Sequence, residues 1–185
     1  MKDIVEIADK ACKAYYEGNM AEALSLYYKI LAEDLNNSVN YYNIGLVYDS
    51  LREFELAVSY YKKSIRVNSA NIRSINNLAR IYVDEIKDYD IAKTYLDRAI
   101  EIAPKDAEAY NLYGNISMLE NDFELALNYF KKSIHLDSEY FKNYYDIAVC
   151  YYGLKNTDEA IKNVKKSIEL NPNFPQAKVF LQQIS

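Results

Sequence analysis

Across residues 38–71 the chain runs through two short amphipathic stripes separated by a polar break. The first places Tyr41, Ile44, Leu46, Val47, Tyr48 and Leu51 at the three-and-four spacing of one helix face. Arg52 and Glu53 interrupt it, and a second stripe follows through Phe54, Ala57, Tyr60, Tyr61, Ser64 and Ile65. The pattern predicts helix, tight turn, helix, with small residues (Gly45 and Ala57) where the two helices must approach closely. A pair this short cannot bury its apolar stripe alone, so it needs neighbours of the same kind.

Those neighbours recur at a fixed period. Ala11, Gly45, Ala79, Gly114 and Ala148 follow one another in steps of 34, 34, 35 and 34 residues. Ala23, Ala57, Ala92, Ala126 and Ala160 repeat the same steps on the second stripes. The one extra residue falls in a predicted turn at residues 83–90, where an insertion harms packing least. Two independent series at one period identify a repeat protein.

The residues around both series resemble the tetratricopeptide repeat. Tyr41, Tyr110 and Tyr144 stand at the bulky place before the first small residue, and Tyr48, Tyr82 and Tyr151 at the aromatic place after it. On the second stripes Tyr27, Tyr61 and Phe130 hold the aromatic place, with Leu96 and Val164 as milder substitutes. Pro104 and Pro172 occupy the helix-ending position, which Leu35, Ser69 and Ser138 fill elsewhere. Repeat 1 departs most, since Ala14 stands where an aromatic is expected. The resemblance implies an all-α, right-handed superhelical solenoid of five helix-turn-helix repeats. They lie at about 4–37, 38–71, 72–106, 107–140 and 141–174, in a single domain over 1–185.

Helix starts are expected at Asn19 with Glu22, at Asn71, at Asn121 with Glu124 and at Asn156 with Glu159, where a side chain can cap. Residues 175–185 read as a C-terminal capping helix. Its apolar side is Ala177, Phe180, Leu181 and Ile184, backed by Gln176, Lys178, Gln182 and Gln183. No extra cap precedes repeat 1. Its own first helix supplies the polar end, through Lys2, Asp3, Glu6, Asp9, Lys10 and Lys13, or a partner does.

Composition narrows the function. No stretch approaches the roughly 18 apolar residues of a membrane span. Residues 1–7 carry acids and lack the apolar segment of a signal peptide, so a cytoplasmic location is expected. Cys12 and Cys150 lie four repeats apart and are expected to be reduced and unpaired. The net charge of −5 argues against nucleic acid. Twenty tyrosines beside no tryptophan accompany abundant Asn, Lys and Ile, a bias to which codon usage contributes.

Enzymatic constellations are missing from the pattern. His135 is the single histidine, neither cysteine has a ligand-spaced companion, and the four glycines are scattered. No catalysis, metal or cofactor is expected. The pairs Lys62-Lys63, Lys131-Lys132 and Lys165-Lys166 recur because the repeat recurs, near helix C-termini that favour positive charge.

In the resembled family the first helices line a concave groove, and the matching places here carry Asn43, Asn76, Asn77, Asn111 and Asn115. An Asn amide offers a donor and an acceptor, so such a row can hold the backbone of an extended peptide whatever its sequence. The resemblance implies that role for Asn43 and Asn77 first. Tyr42, Tyr145 and Tyr152 add rigid contact area, and Arg73, Arg80 and Lys142 supply groove cations. The family's clamp for a C-terminal carboxylate is not matched in any three consecutive repeats. The expected function is a non-catalytic protein–protein interaction scaffold binding a partner's peptide. Self-assembly into a homo-oligomer is the main alternative. Binding of single-stranded RNA is a further one, opposed by the acidic balance.

Overall fold

The computed structural model describes residues 2–185, with side chains from Ile4 onward. Eleven α-helices and no strand occur among the described residues: α1 (Lys2–Tyr16), α2 (Met20–Glu33), α3 (Ser38–Ser50), α4 (Phe54–Val67), α5 (Ile72–Ile81), α6 (Tyr89–Ile102), α7 (Ala107–Leu119), α8 (Phe123–Leu136), α9 (Phe141–Gly153), α10 (Thr157–Leu170) and α11 (Pro175–Ile184). The helices form two compact units, residues 1–87 and 88–185. Unit 1 holds α1 to α5 and unit 2 holds α6 to α11, so the boundary falls inside the third repeat.

Within each unit, first and second helices pair through the small residues. Ala11, Ala23 and Ala57 in unit 1, and Ala126, Ala148 and Ala160 in unit 2, are fully buried. Gly45 and Gly114 mark the tightest approaches. A Cβ on Gly45 would lie 2.6 Å from the Tyr61 ring, and one on Gly114 would lie 2.5 Å from the Phe130 ring. Both rings are fully buried and cannot swing aside. Where the facing side chain is the smaller Val164, Ala148 takes the glycine's place in the core.

Helix starts follow the capping logic. Asn19, Asn71 and Asn156 accept the backbone N–H of Glu22, Ser74 and Glu159. Glu22 also reaches back to the Asn19 amide at 2.6 Å. One expectation is corrected: Asp122, not Asn121, caps α8, accepting the Leu125 N–H at 3.0 Å. Asn121 instead adopts a left-handed backbone, with φ of 62°.

That conformation recurs at every turn inside a repeat, in Gly18, Arg52, Lys87, Asn121 and Lys155, with φ of 81°, 61°, 64°, 62° and 59°. In four of the five turns the next residue then donates to the carbonyl five places back. These bonds run from Asn19 to Ala14, Glu53 to Tyr48, Asp122 to Ser117 and Asn156 to Tyr151, at 2.8–2.9 Å. They satisfy carbonyls that the helix end leaves open. Four of the five residues carry a side chain into a region that costs it about 1–2 kcal/mol.

The fifth turn differs because of the extra residue. After α5 the chain makes one π-helical turn, Tyr82–Ile86, closed by the Lys87 N–H on the Tyr82 carbonyl. The insertion predicted for residues 83–90 is thus absorbed by widening a single helical turn.

Both chain ends present polar side chains at buried registers. One repeat before Asn40, Ile44 and Val47, all buried, α1 carries Glu6, Lys10 and Lys13, all exposed. They are laced into ion pairs, Glu6 with Lys10 at 2.7 Å and Lys13 with Glu17 at 3.7 Å. Lys2 and Asp3, counted in the same polar face, lie outside the described side chains. At the other end Ala177, Phe180, Leu181 and Ile184 of α11 pack with Ala148 and Val164, while Lys178 and Gln182 stay exposed.

Gly114→Ala is expected to lower the denaturation midpoint. Overpacking costs about 1–3 kcal/mol, against which alanine's helix propensity returns up to about 1 kcal/mol. Adding Phe130→Leu opens space for the methyl group. The double variant should therefore be more stable than the sum of the two single changes, a coupling that a double-mutant cycle in urea measures.

Candidate functional site

The eleven residues expected to contact a partner divide by what the fold asks of them. In unit 1, Asn43 on α3 is half-buried, and its side chain makes no hydrogen bond among the described residues. Asn77, one repeat later on α5, donates from its amide to the Arg73 carbonyl at 3.0 Å, leaving its own oxygen uncommitted. Arg73 is exposed, and Tyr42 is half-buried with its ring 6.0 Å from that of Tyr61. Asn76 turns the other way and is 1% exposed.

Arg80 is not an open groove cation. Its guanidinium is bound to Asp49 of α3 and lies 3.9 Å from Asp84. The Tyr61 hydroxyl donates to the same Asp49 carboxylate at 3.2 Å. Burial, and then the Asp49 charge, push the Tyr61 hydroxyl well above its usual range, so it stays a proton donor. Asp49 therefore joins α3, α4 and α5 at one point, a role that spacing alone did not single out.

In unit 2 the asparagines are structural. Asn115 lies with its amide nitrogen 3.5 Å from the Asn111 oxygen. Asn111 donates to the Asn143 oxygen, Asn143 to the Ser133 hydroxyl at 2.7 Å, and Ser133 to the Ala107 carbonyl at 2.7 Å. This relay joins α9, α8 and α7, and Asn111 is only 8% exposed. The expectation that Asn111 stands on a solvent-facing wall is corrected: its amide is spent inside the repeat interface.

A shorter relay joins the helices of unit 1. Ser64 donates to the Ser38 carbonyl at 2.8 Å and accepts from Ser74 at 2.8 Å. The recurrence of Asn40, Ser74 and Asn143 in one buried register was the available signal for these contacts.

Tyr145 and Tyr152, expected on the groove wall, both meet the capping helix. Their rings lie 5.7 and 5.6 Å from that of Phe180 in edge-on contacts. Tyr152 nonetheless remains about half exposed, at 49%. Lys142 is exposed on α9. One turn later Asp146 is half-buried, and burial pushes its carboxyl up to about 7 against the opposing charge of Lys142. Burial also lifts the neighbouring Cys150 thiol to about 12, and both cysteines are free.

Two of the three lysine pairs meet tyrosines of the repeats. The first lysine reaches a tyrosine of the next repeat: Lys62 lies 5.6 Å from the Tyr82 ring and Lys131 lies 5.4 Å from the Tyr151 ring. The second covers tyrosines of its own repeat, with Lys63 over Tyr60 at 4.3 Å and Lys132 over Tyr110 at 5.4 Å. No cluster of metal-ligating side chains occurs among the described residues, and none of their helices is long and apolar enough to cross a membrane.

Two outcomes follow from these placements. Asn143→Ala strips partners from buried Asn111 and Ser133 and should cost about 1–3 kcal/mol, whereas Asn43→Ala should stay within about 0.5 kcal/mol; urea unfolding of both variants checks this. Asp146 titrates higher in the folded chain than its ordinary 3.8, so the folded state holds the proton longer. Its stability contribution is complete below pH 4 and declines as pH rises toward 7. Asp146→Asn should therefore raise the thermal midpoint at pH 8 and change it little at pH 4.

Residues 39–71 match the profile described as tetratricopeptide repeat, and residues 85–167 match that of anaphase-promoting complex, cyclosome, subunit 3. A TPR repeat-containing protein of Methanocaldococcus jannaschii is 27% identical over 181 residues, covering 85% of this chain and 30% of its own length. Photosystem I assembly protein Ycf3 of Rippkaea orientalis is 36% identical over 115 residues, 53% of this chain and 66% of that protein. The chain thus spans about a third to two thirds of these relatives. Among solved structures, a TPR protein of Thermus thermophilus superposes with a TM-score of 0.78 at 19% identity, covering 98% of both chains. With helix pairs, period and profiles in agreement, the chain belongs to the tetratricopeptide repeat family.

Proposed function

We propose that the chain is a non-catalytic protein-interaction scaffold, acting in the cytoplasm, whose first-helix face in unit 1 holds an extended peptide of a partner. The observation that carries this reading is the uncommitted Asn43 amide on a half-exposed wall, repeated one period later by the free oxygen of Asn77. Together they offer a donor and acceptors to a peptide backbone. Tyr42 adds a ring that packing on Tyr61 holds in place, and Arg73 adds an exposed cation. Arg80, Asn76 and Asn111 support the wall rather than the ligand.

In unit 2, Asn115, Lys142, Tyr145 and Tyr152 would meet a peptide only on that unit's own first-helix face, since part of each is already engaged within the fold or lies beside the capping helix. The polar ion pairs of Glu6, Lys10 and Lys13 favour this reading over end-to-end self-assembly through α1.

The test is a peptide selected from a displayed random library and titrated calorimetrically. Each lost neutral hydrogen bond is worth about 0.5–1.5 kcal/mol. The Asn43→Ala/Asn77→Ala variant should therefore bind about one to two powers of ten more weakly, with unchanged helicity. Unchanged affinity would remove the two asparagines from the site. Light scattering across concentration should show one species, and a mass that grows with concentration would favour self-assembly instead.

A further inference from the structure

On the α8 side of unit 2 lies an open groove of about 670 Å³, lined in part by Pro104, Tyr110, Tyr129, Lys131, Lys132 and His135. Its aromatic floor is fixed in advance. Tyr129 stacks on Tyr113 with centroids 4.9 Å apart, and the Tyr113 hydroxyl is held by the Asp97 carboxylate. The Tyr110 hydroxyl donates to the Pro104 carbonyl at 3.2 Å. The Lys132 ammonium stands 5.4 Å from the Tyr110 centroid and 5.6 Å from that of Tyr129.

The charges at this groove are uncompensated. Lys10, Lys13, Lys93, Lys162 and Lys166 each pair with a carboxylate. Lys131, Lys132 and His135 form no ion pair among the described residues. The corresponding place one repeat later shows what an undeveloped version looks like. There Asn163 replaces the ring of Tyr129, its amide is spent on the Glu159 carbonyl, and Glu169 neutralises Lys166. Two ammonium groups without an ion pair stand beside a rigid aromatic floor in a chain of net charge −5, so this place offers positive charge against the sign of the whole.

We propose that this groove binds an acidic peptide segment carrying an aromatic or long apolar side chain. That side chain lies on the Tyr110 and Tyr129 floor, and the flanking carboxylates pair with Lys131 and Lys132. Because the floor is held before binding, little ordering cost falls on the protein. The site is separate from the asparagine-bearing face of unit 1 and stands or falls independently of it.

The probe is a soluble random copolymer of glutamate and tyrosine, fluorescently labelled and titrated by anisotropy at low and high salt. Wild type should bind it, more weakly as salt rises. Lys131→Gln/Lys132→Gln should weaken binding about tenfold or more while circular dichroism shows the same helical content at the titration temperature, the lost ring contacts lowering only the melting midpoint. Homopolymeric glutamate should bind several-fold more weakly, because it leaves the aromatic floor uncovered. In the Asn43→Ala/Asn77→Ala background, which removes the sequence-independent peptide site proposed for unit 1, the copolymer should still bind and the lysine changes should still weaken it. The proposal is overturned by absence of copolymer binding at low salt, or by equal binding to the lysine double variant. Equal affinity for polyglutamate, tighter binding of a uridine oligonucleotide, or loss of binding in the asparagine variant would overturn it as well.

Discussion

At Gly45 and Gly114 the backbone of a first helix lies against an aromatic ring of its own second helix, and those two repeats are built outward from that contact. The ring fills the volume that a side chain would have taken, and it is buried on every side. This fixes the depth of the helix pair. Everything on its outer faces is then placed by the next pair, since a lone pair leaves its apolar stripe in water. The constraint explains why glycine stands opposite Tyr61 and Phe130 and alanine opposite Val164.

Apolar contact sets how closely helices pack, but it is indifferent to which polar group goes where. The serine relays supply that information. Ser64 and Ser133 each donate to the opening carbonyl of their own repeat's first helix and accept from the first helix that follows. Ser167 makes the first of these bonds, to the Phe141 carbonyl at 2.8 Å. A slipped repeat would leave these buried groups unpaired, a cost of about 1–3 kcal/mol each. The relays therefore act as alignment marks inside an otherwise greasy stack.

The fold was legible because its two small-residue series are periodic and because burial enforces them. The turns were less so. A left-handed backbone usually announces itself by glycine, yet here Arg52, Lys87 and Lys155 adopt it, and nothing about a lysine predicts that. The candidate site was legible in register but not in role. Asn43 and Asn111 occupy adjacent places of one helix face in the sequence pattern, and only the position of Asn143 decides that Asn111 is consumed. Likewise Arg80 reads as a free cation until Asp49, one repeat away, is seen to hold it. Pairing across repeats is a property of three-dimensional neighbours, so residue type alone could not assign it. The lysine pairs show the same effect, since tyrosines of the next repeat give Lys62 and Lys131 their work.

The π-helical turn at Tyr82–Ile86 bears on how such an array can change length. One residue added inside an α-helix rotates the later side chains of that helix by about 100°. Here the extra residue is spent in a single loosened turn, and the steps of 34 resume at once from Ala92 to Ala126 to Ala160. The turn works as an expansion joint in the sequence: it takes up the odd residue within unit 1, and the spacing that unit 2 then follows is the ordinary one.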